Sequence, residues 1–205
     1  MTTFDESRLI LFAPGAGAPS TSAWMLAWKE RLATLGRVVT FDYDYMASGK
    51  RRPDPHSTLV AAHRAALASA SREHDTSVVL AGKSMGSRIG CHLALGAHVS
   101  ACVCMGYPLR GQNGKLRDEV LLALRTPVLF VQGTRDSLCP IDELEAVRKK
   151  MVAPNFLHIV EEGDHSLLVT KTWLKRNATS QEAIDATVLE AIRSFVVTFA
   201  RAHAT

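Results

Sequence analysis

The sequence lacks any run of about 18 apolar residues of the kind that crosses a membrane. Its first residues also lack the basic start, apolar segment and small-residue cleavage site of a secretion signal. These absences predict a soluble, cytoplasmic protein that does not act on a membrane. The 4 cysteines form no C-x-x-C pair, which disfavours a disulfide framework or a cysteine-based metal site. We therefore predict reduced thiols, no metal and no cofactor.

A strong excess of charge of one sign is also missing. The chain has 24 basic and 20 acidic residues, for a net charge of +4, and its basic residues are scattered apart from the run Lys50-Arg51-Arg52. Nucleic-acid binding needs a basic patch or stripe, so this distribution disfavours it. The remaining expectation is a small-molecule partner, and the sequence does not determine an oligomeric state.

What the chain has is a regular alternation of short apolar runs and helical patterns. Its 205 residues, 47% of them hydrophobic, are enough for one sizeable core, and we predict a single domain over residues 1–205. The alternation predicts an α/β fold: a three-layer α/β/α sandwich whose doubly wound, mostly parallel sheet has about six strands. The predicted strands are Leu9 to Ala13, Val38 to Tyr43, Ser77 to Gly82, Ala101 to Gly106, Pro127 to Gly133 and Phe156 to Glu161. The predicted helices are Ala23 to Leu35, Leu59 to Glu73, Ser87 to Ala97, Lys115 to Leu124, Ile141 to Met151 and Gln181 to Arg201.

The stretch SVVLAGKSMGS, residues 77–87, contains two competing motifs. Its GKS triplet ends a phosphate-binding P-loop, but that motif needs a glycine five positions earlier, where this chain has Ser77. The residues between form an apolar, β-branched run that is typical of a buried strand and not of a phosphate loop. A strand that leads into Gly82-x-Ser84-x-Gly86 and then a helix is the context of a nucleophile elbow. We therefore predict that Ser84 is a nucleophile.

A serine hydroxyl needs a base to take its proton, and the base needs an acid to orient it. In the order Ser, Asp, His, the acid is predicted to be Asp136, which follows the strand VLFVQG, and the base His165, which follows the strand FLHIVE. Both residues lie just past the carboxyl end of a strand, on the same sheet edge as Ser84. Asp164 is an alternative acid and Lys83 an alternative partner of the serine.

Two backbone N–H groups are predicted to bind the oxyanion. The Met85 N–H lies at the start of the helix after Ser84, where the helix dipole favours negative charge. A second N–H is expected from the loop APGAGAPS after the first strand, near Ala16. In this loop Gly15 and Gly17 allow unusual backbone angles and a close approach of substrate, although both could serve only a tight turn.

Two further features concern the substrate. Arg51 and Arg52 lie in a loop at the same edge of the sheet and could attract a carboxylate or phosphate, although a merely solvated basic loop has the same pattern. The connection between the fourth and fifth strands is too short for the lid of many lipases, so we expect an open cleft.

These motifs resemble the α/β-hydrolase superfamily nearly from end to end. Within it, the stretches DYMASGKRRPDP, GKSMGSRIGC, GYPL and GDHSL resemble the small capless branch named for testis-expressed protein thirty and the third subunit of the NSL acetyltransferase complex. The resemblance implies Ser84, Asp136 and His165 as nucleophile, acid and base, but no substrate. Dienelactone hydrolases are similar in size but have cysteine as the nucleophile.

The sequence therefore predicts a serine hydrolase that acts on an ester or thioester. Two alternatives stay open: an amidase or peptidase, which would use the same three groups, and a non-catalytic interaction module that keeps the fold.

Overall fold

A parallel sheet of six strands forms the centre of the computed structural model, which describes residues 4–111 and 114–200. The strands are β1 (Asp5–Ala13), β2 (Gly36–Thr40), β3 (Ser77–Lys83), β4 (Ala101–Met105), β5 (Val128–Gly133) and β6 (Asn155–Val160). They are ordered β2-β1-β3-β4-β5-β6, and every neighbouring pair is parallel. The predicted fold class and the six strand positions are confirmed.

Helices cover both faces of the sheet. Their bounds are α1 (Ala23–Leu32), α2 (Asp44–Ala47), α3 (His56–Ala70), α4 (Met85–Ala94), α5 (Glu119–Ala123), α6 (Ile141–Arg148), α7 (Lys171–Arg176) and α8 (Gln181–Phe199). On one face, Trp28 of α1 and Ile192 of α8 share a core with Phe12 of β1. On the other face, Cys91 of α4 and Leu144 of α6 pack with Leu11 of β1.

The central strands are apolar throughout because both of their faces are covered. All residues of β4 and β5 are buried, which is the pattern expected of parallel strands between two helix layers. The edge strands β2 and β6 are only partly buried. All four cysteines are free and buried.

Several boundaries differ from the predictions. β2 ends at Thr40 and not at Tyr43, because its neighbour β1 is followed by Pro14, which has no N–H to continue the ladder. The short helices α2 and α7 were not predicted, since neither has enough turns to show an apolar period. The predicted end of the last helix at Arg201 and the outer limits of the predicted domain lie outside the described residues.

The order of the strands determines where a ligand can bind. The chain runs from β1 outward to β2 and then returns to place β3 on the other side of β1. At such a switch point the loops after the two central strands separate and leave a crevice. Between β4 and β5 the described residues form only α5 and a bridge between Arg110 and Leu116, so they build no lid. Within the described ranges, none of the helices has the length and apolar character needed to cross a bilayer.

Candidate active site

Ser84 lies in the turn between β3 and α4. Its backbone has φ 50° and ψ −114°, a conformation with positive φ that non-glycine residues rarely adopt. Such strain persists only where the surrounding structure enforces it, and it is concentrated at functional sites. The turn holds the Ser84 side chain at the carboxyl edge of the sheet, where it lines two clefts.

The two glycines of the turn make its tight geometry possible. A Cβ atom on Gly82 would collide with the backbone of Ser87, in the first turn of α4. A Cβ atom on Gly86 would lie 2.5 Å from the Ala13 carbonyl oxygen and 2.6 Å from that of Pro14. Both positions therefore require glycine, because α4 packs directly against β3 and the loop after β1.

Three side chains from separate loops meet at this edge. His165 follows β6, and its Nε2 lies 2.8 Å from Ser84 Oγ. Its Nδ1 lies 2.7 Å from Oδ2 of Asp136, which follows β5. An ionised carboxylate only accepts hydrogen bonds, so Nδ1 carries the proton and Nε2 is left to accept from the serine hydroxyl. The structure thus brings together the three residues that the sequence singled out.

Asp136 is held as a buried carboxylate. Only 3% of its surface is exposed, and this burial on its own raises the pKa of the carboxyl group. Hydrogen bonds from His165, from the Leu138 N–H and from Gln132 favour the charged form more strongly, and the net pKa of Asp136 is lowered. The charge therefore stays next to His165 at neutral pH.

Gln132 is a site residue that the sequence analysis missed. It is fully buried in β5, and its Nε2 donates to Asp136 Oδ2 at 2.5 Å, while its Oε1 accepts from the Tyr107 N–H at 3.0 Å. The amide therefore links the loop after β4 to the carboxylate. A signal was present: Gln132 is the polar residue in the otherwise apolar run VLFVQG, and buried polar side chains need partners.

The alternative acid, Asp164, has a different role in the structure. Its Oδ1 accepts from the N–H groups of Ser166 and Leu168, at 2.7 and 3.0 Å. These bonds close the turn that carries His165, whose imidazole is bonded to Asp136 instead. Asp164 thus shapes the histidine loop without contacting the ring.

Lys83 does not pair with the serine hydroxyl, but it contacts the site in another way. Its ammonium donates to the His165 carbonyl oxygen and lies 5.4 Å from the ring centre of Trp24. The indole N–H of Trp24 donates to the Ser166 carbonyl oxygen at 2.8 Å. Burial lowers the pKa of Lys83 to about 8, although Asp136 and Asp164 oppose this shift. Lys83 and Trp24 together hold two successive carbonyl groups of the histidine loop.

The predicted oxyanion donors flank the serine. Met85 is the first residue of α4, so its N–H has no partner within the helix. Ala16 lines the same clefts as Ser84, and its carbonyl oxygen accepts from the Tyr45 hydroxyl at 2.8 Å, which fixes the loop after β1. Gly15 and Gly17 line one cleft with Ser84 and His165. Neither glycine has a positive φ, so the expected unusual backbone angles are absent there.

Ser84 lies between two clefts of different character. One, of about 300 Å³, is walled by the loop after β1, by Trp24 and Met25 of α1, and by His165. The other, of about 360 Å³, lies on the α4 side and contains Arg52 among its lining residues. The expected basic pair is divided, because Arg51 lines a separate groove beyond Ala16. Of this pair, Arg52 is the one that lines a cleft with Ser84.

The comparisons with known proteins agree with this architecture. The family model described as an alpha/beta hydrolase domain matches residues 6–197. Among curated proteins, the protein sumv-2 of Caenorhabditis elegans is 30% identical over 101 residues, which are 48% of this chain and 9% of that protein. The chain therefore spans less than a tenth of the length of this relative.

Solved structures with the same fold include several hydrolases. Est1E of Butyrivibrio proteoclasticus, bound to ferulic acid, superposes with a TM-score of 0.71 at 15% identity, over 95% of this chain and 90% of that one. A dienelactone hydrolase of Anabaena variabilis has a TM-score of 0.68 at 17% identity, over 96% and 88%. At such identities the likeness concerns the fold alone. The resemblance to the branch of testis-expressed protein thirty stays a prediction.

Proposed function

The chain belongs to the alpha/beta hydrolase domain family, and from this membership we propose that it is a serine hydrolase that transfers the acyl group of an ester or thioester to water. One observation carries the proposal: Ser84 Oγ, on a strained turn, lies 2.8 Å from His165 Nε2. A hydroxyl in that position can lose its proton to the imidazole as it attacks a carbonyl carbon.

In the first half of the reaction, Ser84 Oγ forms a bond to the acyl carbon and its proton passes to His165 Nε2. The electron pair of the carbonyl moves to oxygen, and Asp136 stabilises the imidazolium that results. The tetrahedral species then collapses: the bond to the leaving oxygen or sulfur breaks, and His165 gives its proton to that atom. The alcohol or thiol departs and leaves an acyl ester on Ser84.

In the second half, water attacks the acyl-enzyme. His165 takes a proton from the water as its oxygen bonds to the acyl carbon, and then returns that proton to Ser84 Oγ as the ester bond breaks. The products are a carboxylic acid and the free serine. Each step is a proton transfer or an acyl transfer that these three residues perform without a redox partner.

The developing negative charge needs donors that are already in place. We assign this role to the Met85 N–H, at the positive end of the α4 dipole, and to the N–H of Ala16. Removal of one such donor typically raises a barrier by about 3 kcal/mol. The Tyr45 hydroxyl donates to the Ala16 carbonyl oxygen, in the peptide group that follows the Ala16 N–H, and so helps to fix the loop that carries this donor.

Covalent labelling with a fluorophosphonate tests the proposal, because this reagent modifies only an activated serine. The wild-type protein is expected to be labelled at Ser84, whereas Ser84→Ala and His165→Ala are not. Ser69→Ala is the matched control: this exposed serine lies outside the site, and its loss leaves labelling unchanged. A folded wild-type protein that resists the reagent would refute the proposed activity.

A substrate panel then separates the reaction classes. Short acyl groups are presented as p-nitrophenyl esters, as thioesters and as amides, and kcat/KM is measured for each. The proposal expects turnover of the oxygen or sulfur esters that disappears in Ser84→Ala. Efficient hydrolysis of the amides alone would assign the site to an amidase instead.

A further inference from the structure

Four arginine side chains line the larger cleft beside Ser84. They are Arg52, Arg88, Arg110 and Arg117, and we call this cleft of about 360 Å³ the arginine pocket. Its wall also includes one carboxylate, Asp54, and the imidazole of His56. Cations therefore outnumber anions around a space that opens directly onto the proposed nucleophile.

Arg110 differs from the other three arginines in having a counter-ion among the described residues. The Nε and one terminal nitrogen of Arg110 donate to the two carboxylate oxygens of Glu143. Among the described residues, no carboxylate lies within 4.0 Å of the guanidinium of Arg52, Arg88 or Arg117. Three positive charges in the pocket thus have no ion pair within the part of the chain that the structure describes.

Arg88 is the most constrained of these. It projects from α4 one turn after Ser84 and is half-buried, and its buried Nε finds no hydrogen-bond partner among residues 4–111 and 114–200. With the described residues, the Arg88 side chain makes one long hydrogen-bond contact, 3.5 Å from NH1 to His92 Nε2. Burial, and next the nearby charge of Arg117, lower the pKa of Arg88. Two cations that line one cleft and repel each other favour the binding of an anion between them.

We propose that the arginine pocket binds a carboxylate or phosphate group of the substrate, held by Arg88 and Arg117 while the ester carbonyl lies at Ser84. This inference rests on the proposed function and narrows its substrate to an anionic ester or thioester. The pocket shares Ser84 and Ala16 with the second cleft, where Trp24 and Met25 form an apolar wall. The substrate thus carries its charge on one side of the scissile bond and an apolar group on the other.

Paired esters of equal shape test the proposal. The p-nitrophenyl monoester of adipic acid carries a terminal carboxylate, and the 6-methylheptanoate ester replaces it with a neutral isopropyl group. A charge-assisted hydrogen bond contributes enough to change kcat/KM by about 10- to 100-fold. The wild-type protein is therefore expected to prefer the anionic ester by at least about tenfold.

Substitutions test whether the preference for the anionic ester depends on the arginine pocket. Arg117→Gln and Arg88→Gln should each lower the ratio of anionic to neutral kcat/KM by about tenfold, and Arg88→Lys should lower it less, because the charge stays while the fork geometry is lost. Arg64→Gln is the matched control: it removes the same charge from an exposed position on α3, outside the pocket, and keeps the wild-type ratio. If Arg64→Gln lowers the ratio as much, the preference comes from overall charge and the pocket is refuted. Should Arg88→Gln fail to fold, the less constrained Arg117→Gln decides alone.

Binding measurements with free anions distinguish a carboxylate from a phosphate ligand. Together with the labelling experiment, they also test the arginine pocket separately from the hydrolase activity. Calorimetry with adipate and with glycerol phosphate shows which anion the wild-type protein binds, and Arg117→Gln should weaken that binding. If the protein is labelled by fluorophosphonate but neither prefers the anionic ester nor binds either anion, the arginine pocket is refuted and the hydrolase proposal stands. If labelling fails while anions bind through Arg117, the pocket stands and the hydrolase proposal is refuted.

Discussion

Replacement of Gln132 by methionine is the sharpest test of how the site is held together. Methionine keeps the length and volume of the side chain but removes both of its hydrogen bonds, to Asp136 Oδ2 and from the Tyr107 N–H. A bond to a charged group contributes about 1.5–3 kcal/mol, and a buried N–H left without a partner costs about 1–3 kcal/mol. We therefore expect the free energy of unfolding to fall by about 3–5 kcal/mol.

The same substitution should also reduce catalysis. Of its side-chain hydrogen bonds with the described residues, Asp136 would keep those from the Leu138 N–H and from His165, so its orientation toward the imidazole loosens and its pKa rises toward the ordinary value. The lowered pKa of Asp136 stabilises the folded state above its unfolded pKa, and this contribution is lost as the pH falls through the folded value. In Gln132→Met the acid unfolding transition therefore moves to higher pH, and kcat/KM falls by about tenfold.

Equilibrium urea unfolding and ester hydrolysis, both measured across pH, check these outcomes. Val131→Ala is the matched control, because this fully buried neighbour packs in the hydrophobic core and its apolar side chain cannot hydrogen-bond to Asp136. Its truncation costs about 1–3 kcal/mol of stability. A Gln132→Met protein with wild-type kcat/KM and an unshifted acid transition would refute the reasoning, whatever its stability.

Three further predictions concern the same site. Asp136→Asn should lower kcat by about 10⁴-fold in ester hydrolysis because the imidazole takes the wrong tautomer. Asp164→Asn should lower kcat by less than about tenfold, because the amide oxygen of the asparagine can still close the turn. Equal losses in the two variants would contradict the assignment of Asp136 as the acid. Lys83→Met should lower kcat about tenfold by releasing the carbonyl of the histidine loop. Because burial lowers the pKa of Lys83 to about 8, the unfolded state binds more protons than the folded state above that pH. Urea unfolding should therefore show that the wild-type protein gains stability relative to Lys83→Met between pH 8 and 10.5. Ser84→Gly should be more stable to heat than Ser84→Ala by about 1 kcal/mol because glycine tolerates the positive φ; equal stabilities would mean that the turn holds no strain.

The parts of the structure that depend on the local order of apolar and polar residues could be predicted from the sequence. Six apolar runs became six strands, since a strand buried on both faces is recognisable from its own residues. The G-x-S-x-G turn is also recognisable from neighbouring residues, and Gly82 is required by the backbone of the turn itself. Gly86, in contrast, is required by the carbonyl groups of Ala13 and Pro14, from a distant part of the chain. The positions of Asp136 and His165 followed from the rule that the carboxyl ends of parallel strands share one edge.

Contacts between distant segments could not be predicted in this way. The sequence suggests Lys83 as an alternative partner of Ser84, whereas in the structure its ammonium donates to the His165 carbonyl oxygen, which belongs to a distant loop. No sequence pattern links Arg88 and Arg117, because Arg88 lies on a helix and Arg117 in a loop about 30 residues later. The packing of these segments brings the two side chains to one cleft. The adjacent pair Arg51 and Arg52 was expected to act together, yet the turn after α2 sends the two side chains to different grooves.

The sequence by itself determined the layered fold, the strained serine turn and the order in which its two partners follow, because these depend on periodicity and on residues a few positions apart. Only the tertiary structure decided which carboxylate faces His165, which amide holds that carboxylate, and which arginines surround the serine. Those choices depend on distances of about 3 Å between side chains that are far apart in the chain, and hydrogen bonds and charge pairs at that range are set by how the helices and loops pack.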